Sequence, residues 1–310
     1  MILKLGSKGE QVKLVQGFLG LKTDGDFGPK TEAAVKKWQS ENGLVDDGIV
    51  GPTTWDRMGI ASTDISETQG ETNYGIDIKE KFLPKGEYKE GPVSKEYLFL
   101  HHTAGWHNPY NTISNWARDK RGAIATEFVI GGPSVFGDDF EYDGEIVRCI
   151  PNGGYGWHLG ANGSQHMHVH SVGIEVCNFG PLTKGKYKNK DGVWVMKNPD
   201  KYYTYAGQEV HDSQIVILER EFRGYSAWHK YSDEQIKSLR ELILYISRRD
   251  GIDICKGLVE EINKHGVDGF NWNEDAYYGR VKGMWTHTNT RKDKSDMFPQ
   301  PELIEMLLSL

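Results

Sequence analysis

The chain has 310 residues, of which 26% are charged, and a formal net charge of −7. That length allows more than one domain with a sizeable core, and the acidic balance argues against a generic nucleic-acid binder. No apolar run is long enough to span a membrane, Met1–Gly9 lacks the apolar stretch and small-residue cleavage site of a secretory signal, and three cysteines (Cys149, Cys177, Cys255) are too few for a disulfide framework and fit synthesis in a reducing compartment.

Residues 1–60 read as a small helical unit. Val12, Val15, Phe18 and Leu19 fall at helical spacing, and a second helix runs from Pro29 through Ala34, Val35 and Trp38 towards Gly43. The unit contains a repeat. Asp24-Gly-Asp-Phe-Gly-Pro-Lys-Thr31 recurs as Asp47-Gly-Ile-Val-Gly-Pro-Thr-Thr54, each copy a turn with proline at the start of a helix. With Leu3-Lys-Leu-Gly-Ser-Lys-Gly-Glu-Gln-Val12 before it, this pattern resembles the three-helix peptidoglycan-binding module found at the ends of cell-wall hydrolases. Residues 61–76 are rich in Ser, Thr, Glu and Gly and read as a linker.

Residues 77–310 read as one α/β domain, a mixed sheet flanked by helices. Strands are expected at Tyr97–His101, Ala125–Gly131, Glu145–Ile150 and Val172–Cys177. Helices are expected at Asn111–Asp119, at Pro301–Leu310 and, most clearly, at Ser232–Arg249. There Ser232 and Gln235 form a capping box, Ile236, Leu239, Ile243 and Ile246 share a face, and Gly251 follows the end. Residues 181–228 are irregular and read as an insertion, with a short strand at Val193–Met196.

Two stretches carry chemistry. Tyr97-Leu-Phe-Leu-His-His102 ends a strand in two histidines, which alternation sends to opposite faces, so only one faces any given site. Near the other end lies His287-x6-Lys294-x-Asp296. One strand-end histidine with His287 and Asp296 makes three protein ligands for a zinc ion and leaves a fourth position for water, the layout of a catalytic site. On the strand Val172–Cys177, Glu175 shares the small-residue face with Gly173. A carboxylate there is costly to leave unpaired and reads as a general base near the zinc. His166-Met-His168-Val-His170 looks like a second metal tract if extended, but reads first as an exposed loop. Cys177 lies within a strand, where nothing stabilises a thiolate, so it is a poor nucleophile.

The motifs Leu100-His101-His102-Thr-Ala104, Ala125-Thr-Glu-Phe-Val-Ile130, Gly144-Glu-Ile-Val, Trp157-His158-Leu-Gly160, Ser171-Val-Gly-Ile-Glu175 and His287-x6-Lys294-Ser-Asp296 follow one another as in the zinc-dependent N-acetylmuramoyl-L-alanine amidases. This chain resembles that family over residues 95–180 and 230–300. The resemblance implies a single Zn²⁺ held by His101, His287 and Asp296, Glu175 as base, Lys294 stabilising the transition state, and His158 near the substrate. It implies cleavage of the amide between N-acetylmuramic acid and L-alanine. Where relatives carry Tyr or His, this chain has Thr126 and Glu127, which with Trp157 are the expected substrate contacts. The expected partner is bacterial peptidoglycan, with no nucleic acid, no membrane insertion and no obligate protein partner. The expected setting is a phage endolysin reaching the wall through a membrane lesion, or a delivered effector. The alternative is a non-catalytic peptidoglycan recognition protein, against which stand the three intact ligands.

Overall fold

The computed structural model describes residues 3–58, 76–91, 93–160 and 163–310. Contacts divide the chain into two units, Met1–Thr72 and Asn73–Leu310. Apart from residue 76, the expected linker lies outside the described residues.

The first unit packs α1 (Glu10–Phe18), α2 (Pro29–Glu41) and α3 (Pro52–Met58) around Leu3, Val12, Val15, Phe27, Val35 and Val50. Its sequence repeat is a repeated polar lock. The buried Gln16 side chain donates to Asp24 Oδ1 (2.8 Å), Asp26 O (3.0 Å) and Thr31 Oγ1 (3.2 Å), and accepts from Gly25 N (2.9 Å). Gln39 repeats this on Asp47 Oδ1, Ile49 O, Thr54 Oγ1 and Gly48 N, at 2.9, 2.9, 3.2 and 2.9 Å. Gly25 and Gly48 have φ near +75°, which the turn requires and a side chain would resist. α1 and α2 thus each carry a glutamine that holds the turn leading into the next helix.

In the second unit β1 (Ile78–Glu80), β2 (Tyr97–His102), β3 (Phe128–Ile130), β4 (Ile146–Arg148), β5 (Ser171–Val176) and β12 (Gly283–Thr286) form one sheet in the order β1-β4-β3-β5-β2-β12. All neighbours run parallel except β3 and β4. Both faces are covered, as parallel sheets require. Leu98, Leu100, Phe128, Ile130, Val172, Ile174 and Val176 pack on one side in the large core that includes α6 (Asp233–Asp250), α7 (Leu258–His265) and α10 (Pro301–Leu308). On the other side Val129, Val147, Cys149 and Cys177 meet α4 (Pro109–Trp116), while Tyr97, Phe99 and Trp285 meet Leu159 and Met167.

The Ser232–Gln235 capping box is present, and Gly251 ends α6 in the left-handed conformation. Gln235 does more than cap: its Nε2 donates to Cys177 O (2.8 Å) and Gly131 O (3.1 Å), tying the start of α6 to the ends of two strands. The strands around β3 and β4 are shorter than expected, and α4 starts earlier, because Asn108 caps it and Pro109 opens it. β12 was not anticipated. Four residues buried on every side offer no alternation to read.

The insertion carries small antiparallel pairs: β6 (Thr183–Lys184) with β9 (Tyr202–Tyr203), β7 (Lys186–Lys188) with β8 (Trp194–Met196), and β10 (Ile215–Phe222) with β11 (Tyr225–His229). The expected strand at Val193–Met196 is β8. The histidine tract His166–His170 is neither strand nor loop. It forms α5 (Gln165–Val169), capped by Ser164, so His166 and His170 share a face and the buried His168 turns away to Gly160 O (3.1 Å). The remaining short helices are α8 (Glu274–Tyr278) and α9 (His287–Thr290).

Replacing Gln39 by Ala removes four hydrogen bonds at a buried turn. It should destabilise the first unit by about 1–3 kcal/mol, read as a lowered first transition in calorimetry of the full chain while the second transition stays in place.

Candidate metal centre

Sheet register builds the site. β2 lies between β5 and β12, with His101 directly beside Glu175 and Leu100 beside Thr286. The residue after Thr286 is His287, the first of α9, so it emerges next to His101. Thr286 and Asn289 form a capping box that fixes this turn, and Asn289 Nδ2 is anchored to Gly269 O and Asn271 O, both at 2.8 Å. The following loop folds back, with Thr288 N donating to Asp296 O at 2.9 Å.

These turns bring Asp296 Oδ2 to 3.2 Å from His101 Nδ1 and 2.9 Å from His287 Nδ1. One ligand atom from each of the three residues lies within 4.8 Å of the others, the one such group found among the described residues. All three residues are buried. Burial acts to raise the Asp296 carboxyl, but the neighbouring imidazoles of His287 and His101 hold it far below the usual carboxylate range. Burial lowers His101 to about 4. A neutral imidazole and an ionised carboxylate are the protonation states that ligate a metal.

The back of His101 is also organised. His168 O accepts from Ser171 Oγ (3.3 Å), so Ser171 Oγ accepts from His158 Nε2 (2.8 Å), and His158 Nδ1 then accepts from His101 Nε2 (3.0 Å). A carbonyl at the end of this chain can only accept. His101 therefore carries its proton on Nε2 and turns a bare Nδ1 lone pair towards Asp296 Oδ2. Two acceptors 3.2 Å apart are reconciled by a cation between them. The residues fit a divalent ion of the zinc type, which takes imidazole and carboxylate donors.

Glu175 faces this cluster from β5. Burial pushes its carboxyl well above the usual range, the charge of Asp296 adds to this, and Lys294 opposes it. Its Oε2 is buried without a partner, as is His287 Nε2. Lys294 is half-buried and has no ion-pair partner among the described residues. His102 points to the opposite side of the sheet and bonds Tyr231 through Nδ1 (2.8 Å), as strand alternation requires.

Three of the expected substrate contacts bond to protein groups. His158 was expected beside the substrate, but both of its ring nitrogens are spent on His101 and Ser171. Thr126 is buried, and its hydroxyl donates to Phe128 O (2.9 Å). Glu127 is buried and holds the Arg249 guanidinium with both oxygens, an ion pair that Asp250 extends. The counter-charge that α6 supplies offsets the cost of its burial. Trp157 is half-buried, edge-on to His168 with ring centroids 4.9 Å apart.

Sequence reasoning missed Ser171 and the role of Gly173. A Cβ on Gly173 would sit 2.6 Å from Thr126 Cγ2 and 3.1 Å from His158 Nδ1, so only glycine lets these two pack over β5. The alternation that put Gly173 on the face of Glu175 was the available signal.

The fold and the site define a class, α/β proteins with a His–His–Asp cluster at the ends of adjacent parallel strands. Residues 90–280 match the N-acetylmuramoyl-L-alanine amidase family, and residues 9–58 match a peptidoglycan binding domain. The first match spans more than half of the chain, and the chain belongs to that amidase family. The match contains His101, His158 and Glu175 but ends before His287, Lys294 and Asp296. Over 78 residues the chain is 42% identical to an uncharacterized protein in the bpoA1 3′ region of Kitasatospora aureofaciens, covering 23% of this chain and 62% of that protein. Over 64 residues it is 45% identical to the zinc D-Ala-D-Ala carboxypeptidase of Streptomyces albus G, covering 18% of this chain and 25% of that one. The chain thus spans less than two thirds of the length of these curated relatives. Among solved structures, an AmpD derivative is 13% identical with a TM-score of 0.37, covering 74% of this chain and 94% of that one. A Burkholderia AP3 phage endolysin is 36% identical with a TM-score of 0.19, covering 21% and 27%.

Glu127→Ala should lower stability by about 3 kcal/mol, the lower end for a broken buried pair because Asp250 still faces Arg249. KM for substrate should stay unchanged in the folded fraction; a raised KM with unaltered melting would restore Glu127 as a substrate contact.

Proposed function

We propose that the chain is a zinc-dependent amidase that cleaves peptidoglycan between N-acetylmuramic acid and L-alanine of the stem peptide. The observation that carries this reading is the convergence of His101, His287 and Asp296 beside Glu175, whose buried Oε2 has no hydrogen-bond partner among the described residues, in a chain of the amidase family. His101 and His287 would hold the ion through Nδ1 and Asp296 through Oδ2. When bound, zinc lowers the pKa of a water and polarises a carbonyl.

The protein's own groups supply the rest. Glu175 Oε2 takes the proton of the attacking water and delivers it to the leaving amine nitrogen. The Lys294 ammonium, which pairs with no carboxylate among the described residues, stabilises negative charge developing on the carbonyl oxygen. His158 and Ser171 act through His101, fixing its tautomer and ring orientation. Residues 1–60 serve as the wall-binding unit and 77–310 as the catalytic one. Tethering the catalytic unit to the polymer raises its effective concentration there, which suits a bacteriolytic enzyme of the endolysin kind.

Digestion of purified peptidoglycan tests this directly. New L-alanine amino groups should appear without new reducing sugar ends, vanish with a chelator and return with added zinc; reducing ends without amines would end the reading. Glu175→Gln should lower kcat by about 10²–10⁴ with zinc still bound stoichiometrically.

His158→Ala should weaken zinc about 10–100-fold in competition with a chromophoric chelator, and His158→Gln should recover part of it. Unchanged affinity with reduced kcat would instead place His158 at the substrate.

A further inference from the structure

The insertion contains a surface that the amidase reading leaves unused. Residues 183–203 hold six lysines and two aspartates, with no arginine and no glutamate, inside a chain whose formal charge is −7. Lys201 pairs with Asp212 at 3.2 Å. Among the described residues Lys184, Lys186, Lys188, Lys190 and Lys197 have no ion-pair partner. Four of them lie over aromatic rings instead. Lys186 Nζ is 4.5 Å and Lys188 Nζ 6.0 Å from the Trp194 ring centre, Lys184 Nζ is 5.8 Å from that of Tyr202, and Lys197 Nζ lies 5.7 and 5.9 Å from those of Tyr187 and Tyr203.

Register sorts the hairpin into two faces. Lys186 opposes Met196 and Lys188 opposes Trp194, so these four side chains share one face, while Tyr187 and Val195 share the other. Trp194 is 47% and Met196 74% exposed, so this cationic and apolar face is open to solvent. An aromatic ring orients an ammonium without neutralising it. Two ammoniums beside one indole repel each other, and an anion between them relieves that repulsion. Like-charge clustering of this kind costs stability, which the contacts with the Trp194 ring offset only in part.

We propose that the open face of the β7–β8 hairpin docks an anionic phosphodiester polymer of the bacterial cell wall. Lysine binds a phosphate oxygen as a point charge, and a phosphodiester backbone carries its charge along the chain itself, whereas stem-peptide carboxylates hang from the glycan as side branches. A lipid surface fits less well. The Lys186 ammonium covers the Trp194 ring, so the indole cannot enter hydrocarbon without carrying a charge with it. Lys186 and Lys188, two apart on one strand, stand about 6.8 Å apart along it, a spacing that follows a linear polyanion rather than one isolated ion. The proposal rests on the chain acting at the cell wall, not on its zinc chemistry.

The test is cosedimentation of the full chain on ice with three probes: walls carrying their phosphodiester polymer, the same walls stripped of it by hydrofluoric acid, and phosphatidylglycerol–phosphatidylcholine vesicles. Released amines are counted in parallel, so loss of docking and loss of amidase activity are separate readouts. Wild-type protein should bind intact walls more tightly than stripped ones, and the difference should shrink as salt screens it. The Lys186→Glu, Lys188→Glu double variant should bind intact walls about tenfold more weakly and stripped walls equally. Its melting and its hydrolysis of a soluble muropeptide should match wild type. Should that variant fail to fold, Lys186→Gln with Lys188→Gln should show the same selective loss in smaller measure. Equal binding of variant and wild type to intact walls overturns the proposal. So does an equal loss on stripped walls, which would assign the face to peptidoglycan itself, or a loss confined to vesicles, which would assign it to lipid.

Discussion

A carboxylate buried between two imidazoles is the interaction on which the catalytic unit depends. Removing Asp296 from water is costly, and neutral histidines alone do not repay the cost. The hydrogen bonds behind His101 make matters more exacting, because they leave its Nδ1 as an acceptor facing another acceptor. A cation resolves this conflict. The same burial leaves Glu175 without a partner on one oxygen, which is a stability defect and a chemical opportunity at once.

Holding that arrangement requires rigid neighbours. Parallel pairing sets His101 and Glu175 in adjacent strands and His287 directly after the end of a third, so their relative heights follow from register rather than from a long loop. Away from the cluster, several buried polar groups are tied into the scaffold: Glu127 to Arg249, Gln235 to two strand carbonyls, and Lys95 to Gly154 O and Val169 O. Such hydrogen-bonded groups hold the strands and α6 in place around the cluster.

Much of this was legible in advance because it is local. The proline-opened helices and Asp-Gly turns of the first unit repeat in the sequence because the same backbone conformations repeat. The cap of α6 is written in Ser232, Gln235 and Gly251. Strand alternation allowed only one of His101 and His102 at the site, and placed Glu175 on the face of Gly173. Less was legible where sequence neighbours part company in space. Thr126 and Glu127 sit in the right motif, yet one bonds its own backbone region and the other reaches α6. The His166–His170 tract reads first as an exposed loop, but Ser164 starts a helix there.

The sequence by itself determined the elements, the caps, the repeat and the kinds of side chain available for chemistry, because each depends on φ/ψ preference and apolar spacing within a few residues. The tertiary structure alone decided which of those side chains meet. His101 and Asp296 are 195 positions apart, and His158 reaches His101 only because Gly173 leaves room above β5. Such contacts depend on strand register and on volumes filled by distant residues, and no local pattern encodes either.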